Sequence, residues 1–231
     1  MRGRKPARPL AEVADAAVTV FAEKGYRQAG ISDVSATLGL SHGALYTYVD
    51  SKQALFYLAL LRGVDPEAVN ELAVPVLAPE PQEIVQLLES WIRSQQELLV
   101  IETPTGLAPQ FDGQDFGALI DAMYGFMERN RRVVELVGQC AAELPELAKW
   151  FFVQQRRSTL EHLGDYLRAG IRSGELRPVP DVPAAARFIV ETIAWFAMHR
   201  HGDPDSAMLD DDTSRRTVRH LLLAAFVPAA G

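Results

Sequence analysis

The sequence lacks features that define several large classes of proteins. Its single cysteine, Cys140, excludes an intramolecular disulfide and fits a reducing compartment; it is either a small buried residue or a redox or effector thiol. No run of 18 or more uninterrupted apolar residues occurs, so we expect no membrane span. The basic start, MRGRKPARPL, leads into an amphipathic pattern and does not resemble a signal peptide. We therefore expect a cytoplasmic protein.

The motifs of common catalytic and cofactor sites are also missing. The chain contains no HExxH, CxxC, GxSxG or P-loop pattern, so we expect neither an enzyme nor a cofactor. His199, His201, Asp203 and Asp205 are residue types that bind metals. They fall at the end of a predicted helix, however, where histidine interacts well with the helix dipole and aspartate begins a loop. We therefore expect no metal site.

Basic residues are outnumbered overall but concentrated at one end. The net charge is −7, which argues against nucleic acid at first sight. Residues 1–52 nevertheless contain seven basic and five acidic residues, whereas the remainder contains 16 basic and 25 acidic residues. Charges more than about 10 Å apart are largely screened at cellular salt, so a local basic patch decides whether phosphates are attracted. The distribution permits an N-terminal end that contacts DNA and an acidic body.

Apolar spacing is helical almost throughout, and no strand alternation occurs. We expect an all-α protein with a helix-turn-helix at its N-terminus and a larger helical body. The predicted helices cover Leu10 to about Gly25, 31–38, Ser41 to about Tyr48, Asp50 to about Gly63, 82–100, 114–129, 131–143, 146–172, 183–199 and 212–226. Segment 103–113 is a predicted loop.

The stretch LSHGALYTYVDSK, residues 40–52, follows a tight turn at Gly39. Helix, tight turn and a helix capped by Ser41 match the geometry of a DNA-reading helix-turn-helix, although an αα-corner in a helical bundle has the same pattern. Gly43 costs the helix roughly 1 kcal/mol against alanine, but it would let the helix end approach a base or phosphate closely. In this arrangement Leu45 and Val49 point into the core.

A longer block carries a resemblance to a known family. FAEKGYRQAGISDVSATLGLSHGALYTYVDSKQALF, residues 21–56, closely resembles the DNA-binding domain of the TetR family of transcriptional regulators. The block matches without gaps at Gly25-Tyr26, at Gly39-Leu40-Ser41 and at Lys52, among other positions. The resemblance implies two domains, a DNA-binding domain at 1–56 and an effector-binding and dimerisation domain at 57–231.

The resemblance also implies which residues contact DNA. The chain departs from the family pattern in two places: Ala29-Gly30 stands where the family has a pair of hydroxyl residues, and Val49 stands where it has a phenylalanine. Phosphate contacts fall on Gly30, Tyr46, Tyr48 and Lys52, and base contacts on Ser32, His42, Gly43, Ala44 and Thr47. Of these, the helix-turn-helix geometry by itself already directs His42, Ala44 and Thr47 to the groove and Tyr46, Tyr48 and Lys52 to phosphates.

The N-terminal residues Arg2, Arg4 and Lys5 resemble the arginine-glycine-arginine core of arms that enter the minor groove. A disordered basic tail, which adds only non-specific attraction, has the same composition. Both interpretations stay open at this stage.

The body is expected to form a homodimer and to hold a small-molecule effector, as the resemblance implies. Helices 183–199 and 212–226 carry more apolar residues than one buried stripe needs. The excess favours an interface between two chains, but burial within one chain would explain it equally well. The candidate interface residues are Phe188, Ile189, Ile193, Phe196, Leu221, Leu222 and Phe226. The candidate effector pocket is lined by Trp91, Phe116, Met123, Tyr124, Met127, Trp150, Phe151 and Phe152, with Gln155 and His162 as polar partners. Each of these residues also fits an ordinary core position, but together they favour an apolar effector.

The sequence therefore predicts a ligand-responsive regulator that binds double-stranded operator DNA, with repression as the expected action. Its effector would shift the population towards a body conformation that moves the two recognition helices out of register with the major grooves. The competing hypothesis is a helical protein that binds or converts a small molecule and keeps a vestigial DNA-binding end.

Overall fold

The computed structural model describes residues 8–95, 113–206 and 208–228, and these are helical almost throughout. Within these ranges the β-pairing consists of one isolated parallel bridge, between Val49 and Val76. The prediction of an all-α protein is confirmed. The chain divides into two compact units, Met1–Arg93 with Arg132–Phe152 and Ser94–Arg131 with Val153–Gly231.

The first unit contains the helix-turn-helix, and helices from two separate parts of the chain build it. Its helices are α1 (Leu10–Gln28), α2 (Ile31–Leu38), α3 (His42–Leu45), α4 (Lys52–Val64), α5 (Ala68–Glu71), α6 (Pro81–Ser94), α8 (Arg131–Ala141) and α9 (Pro145–Ala148). Helix α1 packs on α2, α4 and α5, and α2 packs on α3. The core at the end of α1 is aromatic, because the rings of Tyr26 and Phe56 lie 5.9 and 5.2 Å from that of Phe21.

Helix α1 is interrupted near its C-terminus, at Gly25. This residue has φ 72° and ψ 172°, a left-handed conformation that glycine adopts without the steric cost of a Cβ. Residues 26–28 then form a last helical turn of α1 before α2. The predicted role of Gly25 in ending the regular part of the helix agrees with this geometry.

Helices α3 and α4 differ from their predictions, α3 in its length and α4 in its cap. Helix α3 covers only four residues and passes into a turn at 46–48, where the prediction ran to about Tyr48. Helix α4 is capped by Ser51, whose hydroxyl accepts from the Ala54 N–H at 3.1 Å, and not by Asp50 as its spacing from Gln53 suggested. Asp50 instead accepts a hydrogen bond from the Ser51 hydroxyl.

The second unit has α11 at its centre. Its helices are α7 (Gly113–Arg129), α10 (Arg156–Ser173), α11 (Val182–Ala197) and α12 (Asp211–Phe226). Helix α11 packs on the other three. The predicted single helix over 146–172 is divided, because a π-helix at Lys149–Gln155 separates α9 from α10.

A buried arginine fastens the connection between α11 and α12. Arg200 lies in a 3₁₀ turn (His199–Gly202) and is 1% exposed. Its guanidinium donates to the carbonyl oxygens of Phe196 at 2.7 Å and Leu209 at 2.6 Å and forms an ion pair with Asp211. A buried charge needs this number of partners, since an unpaired one would be expensive.

Candidate nucleic-acid interface

The turn between α2 and α3 has the geometry expected for a helix-turn-helix. Gly39 adopts φ 64°, and the Leu40 N–H donates to the Ser35 carbonyl at 2.8 Å. Ser41 caps α3 by accepting from the Ala44 N–H at 3.2 Å. Leu45 and Val49 are fully buried, so the inner side of this segment is anchored in the core.

The opposite side of α3 carries most of the predicted base contacts. His42, Gly43 and Thr47 are exposed, Ala44 is partly exposed, and Ser32 is exposed in the first turn of α2. A Cβ added at Gly43 would meet no atom within 4 Å. The part of the chain that the structure describes therefore leaves room for a side chain at position 43.

The predicted phosphate contacts differ in how accessible they are. Tyr46 is 45% exposed, and its ring lies edge-on to that of His42 at 5.3 Å. Tyr48 is 1% exposed, and its hydroxyl accepts from the backbone N–H of Arg8 at 2.7 Å. In this conformation the Tyr48 hydroxyl is engaged by the chain itself.

The backbone N–H of Gly30 is also engaged. It donates to the carboxylate of Asp33 at 2.8 Å, which closes the N-terminus of α2. Lys24 donates to the other oxygen of the same carboxylate at 2.7 Å. These two hydrogen bonds hold the pKa of Asp33 below its ordinary value, and the bond from Lys24 contributes more than the bond from Gly30. Gly30 thus has an internal partner in this conformation.

Lys52, at the start of α4, is half-buried and fixed in place. Its ammonium donates to the Arg27 carbonyl at 3.0 Å and lies 4.8 Å from the centre of the Tyr26 ring. An ammonium has three donors, so a phosphate can still be bound. The predicted arm residues Arg2, Arg4 and Lys5 lie outside the described residues.

A backbone contact that no sequence pattern predicts supports the turn at 46–48, which follows α3. The Val76 N–H donates to the Tyr48 carbonyl at 2.7 Å, and the Val76 carbonyl accepts from the Asp50 N–H at 3.0 Å. We call residues 72–79 the strap. Gln53 adds a hydrogen bond to the Pro79 carbonyl at 2.9 Å. A single β-bridge does not require alternating apolar and polar residues, so the sequence gives no sign of a strand at this position.

The candidate interface residues of the body divide into two groups. Ile189, Ile193, Leu222 and Phe226 are buried in the second unit, as the alternative of burial within one chain expects. Phe188 and Leu221 are 57% and 59% exposed, and Phe196 is partly exposed. Trp195, which was not among the predicted residues, is 37% exposed on α11.

The candidate pocket residues are also divided, between the two units. Trp91, Trp150, Phe151 and Phe152 belong to the first unit, and Phe116, Met123, Tyr124, Met127, Gln155 and His162 to the second. Phe116 and Tyr124 are core residues, since both are almost fully buried. His162 is exposed and pairs with Ser158 at 3.2 Å. Trp150 is buried, and among the described residues its indole N–H has no hydrogen-bond acceptor.

The groups considered for redox or metal chemistry have ordinary surroundings. Cys140 is fully buried, and burial raises the pKa of its thiol to about 12, so the nucleophilic thiolate is not populated at neutral pH. In residues 8–95, 113–206 and 208–228 no cluster of three or more His, Cys, Asp or Glu side chains is arranged to hold a metal ion. No helix in these ranges is long and apolar enough to span a bilayer.

Two family models match the chain. Residues 13–57 match the model for bacterial regulatory proteins of the tetR family, and residues 121–222 match the C-terminal domain of AefR-like transcriptional repressors. The chain belongs to the TetR family of transcriptional regulators. The first match includes every predicted DNA contact outside the N-terminal arm, and the protein is accordingly a DNA-binding regulator.

Individual relatives agree with this assignment over most of the chain. The transcriptional repressor KstR2 of Mycolicibacterium smegmatis is 24% identical over 88% of this chain and 85% of its own length. The KstR2 structure of Mycobacterium tuberculosis, a ketosteroid transcriptional regulator, superposes with a TM-score of 0.59 at 17% identity over 98% of both chains. A tetR-family protein from Rhodococcus gives 0.54 at 22% identity, over 97% of this chain and 100% of its own. At these identities the two structures support the fold alone.

Proposed function

We propose that this protein is a homodimeric repressor that acts in the cytoplasm and leaves its operator when it binds a small, largely apolar effector. The observation that carries the proposal is the outer side of α3 and of the turn after it, where His42, Gly43 and Thr47 are exposed while Leu45 anchors the inner side. An exposed glycine with open space around it is hard to explain by packing and easy to explain by close approach to DNA.

Repression, as opposed to activation, is supported by the descriptions of the relatives. The C-terminal match is to a repressor domain, and KstR2 of M. smegmatis is named a repressor. A bound repressor blocks transcription by occupying its operator, which needs only the DNA contacts proposed for α3 and Lys52. The base contacts we propose are the accessible residues Ser32, His42, Gly43, Ala44 and Thr47. The phosphate contacts are the exposed Tyr46 and the half-buried Lys52.

The proposal of a dimer rests on exposed apolar surface on α11 and α12. Phe188, Trp195 and Leu221 are large side chains that remain accessible in the single chain. A second copy related by two-fold symmetry would cover the same patch on both chains and present two α3 helices to one side of the DNA.

The chemistry of the effector is suggested by Trp150. This residue lies in the π-helix Lys149–Gln155, an unusual element that often marks functional sites. A buried donor without an acceptor costs about 1–3 kcal/mol, which a ligand carbonyl or hydroxyl oxygen would recover. We therefore propose an apolar effector that presents one hydrogen-bond acceptor to the Trp150 N–H.

The test measures fluorescence anisotropy of a labelled duplex taken from the DNA upstream of the protein's own gene. We expect tight binding that weakens steeply between about 50 and 200 mM salt, while a shuffled duplex binds far more weakly. Apolar carbonyl compounds should release the duplex from the protein, and hydrocarbons of the same shape should release it only at higher concentrations. Trp150→Phe should remove this preference for carbonyl compounds.

Equal binding of both duplexes would contradict the proposal and favour a helical small-molecule protein with a vestigial DNA-binding end. Release by carbonyl compounds that is unchanged in Trp150→Phe would contradict only the role of Trp150.

A further inference from the structure

The last turn of α1, which follows Gly25, is held at Arg27 through both the backbone N–H and the carbonyl of that residue. On one side, the Arg27 N–H donates to the carboxylate of Glu143. On the other side, the Arg27 carbonyl accepts from the ammonium of Lys52 at 3.0 Å. The left-handed Gly25 interrupts the helical hydrogen bonding just before, so the Arg27 N–H needs an acceptor from elsewhere. A carboxylate is the strongest acceptor available to it.

Glu143 comes from a distant part of the chain, 116 residues after Arg27. It follows α8, and the helix is seated firmly in the first unit. The Cys140 thiol lies 3.7 Å from the Phe21 carbonyl, and a Cβ placed on Gly63 would clash with the Val133 side chain. The close approach at Gly63 fixes the helix, and with it Glu143, against α4.

The Lys52 ammonium is therefore not a freely moving charge. The carbonyl of Arg27 and the face of the Tyr26 ring position it, and both belong to the turn that Glu143 holds. A lysine ordered before binding loses less side-chain entropy when a phosphate arrives, so pre-ordering should tighten the contact.

We propose that Glu143 is a positioning residue for DNA binding, which acts through Arg27 to place the Lys52 ammonium where it meets a phosphate. This inference rests on the phosphate contact assigned to Lys52 under the proposed function. It predicts a change in DNA affinity opposite to the one expected from charge alone. A carboxylate near DNA repels phosphates, so its removal by itself would tighten binding. If Glu143 positions Lys52, its removal weakens binding instead.

The test uses the full-length protein and the upstream duplex, with affinity measured as a function of salt. Glu143→Ala should weaken binding on the order of tenfold and make the salt dependence shallower, by about 0.9 in slope for each phosphate that lysine no longer neutralises. Glu143→Gln retains an oxygen acceptor for the Arg27 N–H and should stay near the wild type. Glu146→Ala removes the same charge from an exposed site three residues further on. It should bind as tightly as the wild type or more tightly.

A double-mutant cycle separates positioning from loss of stability. In a Lys52→Ala background, Glu143→Ala should produce no further loss of affinity, because the ammonium that it positions is already absent. Thermal unfolding of each variant identifies any loss of fold. If the alanine variant does not fold, Glu143→Asp takes its place, because its shorter side chain keeps the charge but draws the carboxylate away from the Arg27 N–H, and it should weaken binding in the same direction. Equal and undiminished binding by the alanine and glutamine variants would overturn the inference, as would additive losses in the cycle.

The two proposals fail in different ways. If Lys52→Ala leaves both affinity and salt slope unchanged, the phosphate contact is wrong, and the role of Glu143 falls with it. If Lys52→Ala weakens binding while Glu143→Ala does not, Lys52 keeps its place in the proposed function and only the role of Glu143 is overturned.

Discussion

The Val76 N–H donates to the Tyr48 carbonyl at 2.7 Å, and this contact joins the strap, residues 72–79, to the turn that follows α3. The next peptide is held as well, because the Asp50 N–H donates to the Val76 carbonyl at 3.0 Å. With only four residues in regular helix, α3 has little stability of its own, since isolated helices shorter than about 12 residues are marginal. Its orientation therefore depends on contacts such as these.

Truncation of the buried strap residue should weaken both stability and DNA binding. Val76 is 5% exposed, so Val76→Ala should cost about 1–2 kcal/mol in the free energy of unfolding. Affinity for the upstream duplex should fall as well: the backbone hydrogen bonds of Val76 remain, but the smaller side chain anchors the strap less firmly against the turn that follows α3. Leu77→Ala is the matched control, since Leu77 is 67% exposed and should change stability by less than about 0.5 kcal/mol. Denaturant unfolding and anisotropy measure the two effects; equal behaviour of both variants would contradict the role of the strap.

Gly43→Ala should separate stability from DNA binding. No atom lies within 4 Å of an added Cβ, and alanine is the better helix former by roughly 1 kcal/mol. We therefore expect a higher unfolding midpoint in the absence of DNA. If DNA approaches the backbone at this position, the methyl group will lower operator affinity in the same variant. A gain in stability with unchanged affinity would show that Gly43 is not an approach point.

The carboxylate of Asp33 should make the stability of the DNA-binding unit depend on pH. Its pKa lies below the ordinary value for aspartate, first because of the hydrogen bond from Lys24 and then because of that from Gly30. A folded-state pKa below the unfolded value means that the stabilisation is present above the unfolded pKa and is lost as the pH falls through the folded one. Asp33→Asn should therefore lower the unfolding midpoint at pH 7, and the difference from the wild type should shrink in acid. A difference that is constant with pH would contradict this.

The exposed apolar side chains of α11 and α12 predict how the dimer can be disrupted. Leu221→Asp and Phe188→Asp should each produce monomers in sedimentation equilibrium, because two-fold symmetry places every substitution in the interface twice. Met208→Asp is a matched control, since Met208 is 84% exposed and lies outside both helices. Monomeric variants should also lose operator affinity. A dimer that persists in both variants would place the interface elsewhere.

The helices of the DNA-binding end could be predicted from local signals. The apolar stripe of α1, the glycines at 25 and 39 and the serine cap of α3 are all encoded within a few residues of where they act. Of the two glycines, Gly39 takes the predicted tight turn and Gly25 interrupts α1.

The contacts that complete the site could not be predicted, because they join distant parts of the chain. Arg8 and Tyr48 are 40 residues apart, and Arg27 and Glu143 are 116 residues apart. No local pattern marks Glu143 as the acceptor of a particular backbone N–H. The π-helix also escaped prediction, since its residues have the same apolar spacing as an ordinary helix. For the same reason apolar spacing did not distinguish the exposed Phe188 from the buried Ile189.

The central claim is that a two-fold dimer reads DNA sequence through the exposed side of α3 and of the turn at 46–48 that follows it. Selection of tight binders from random duplexes tests it most directly, with the wild type and Thr47→Ala selected in parallel. We predict that the wild type enriches an inverted repeat, bound at least about 10³-fold more tightly than the starting pool at physiological salt, and that Thr47→Ala enriches a repeat altered in each half-site. A selected pool that binds no better than the starting pool would contradict the claim.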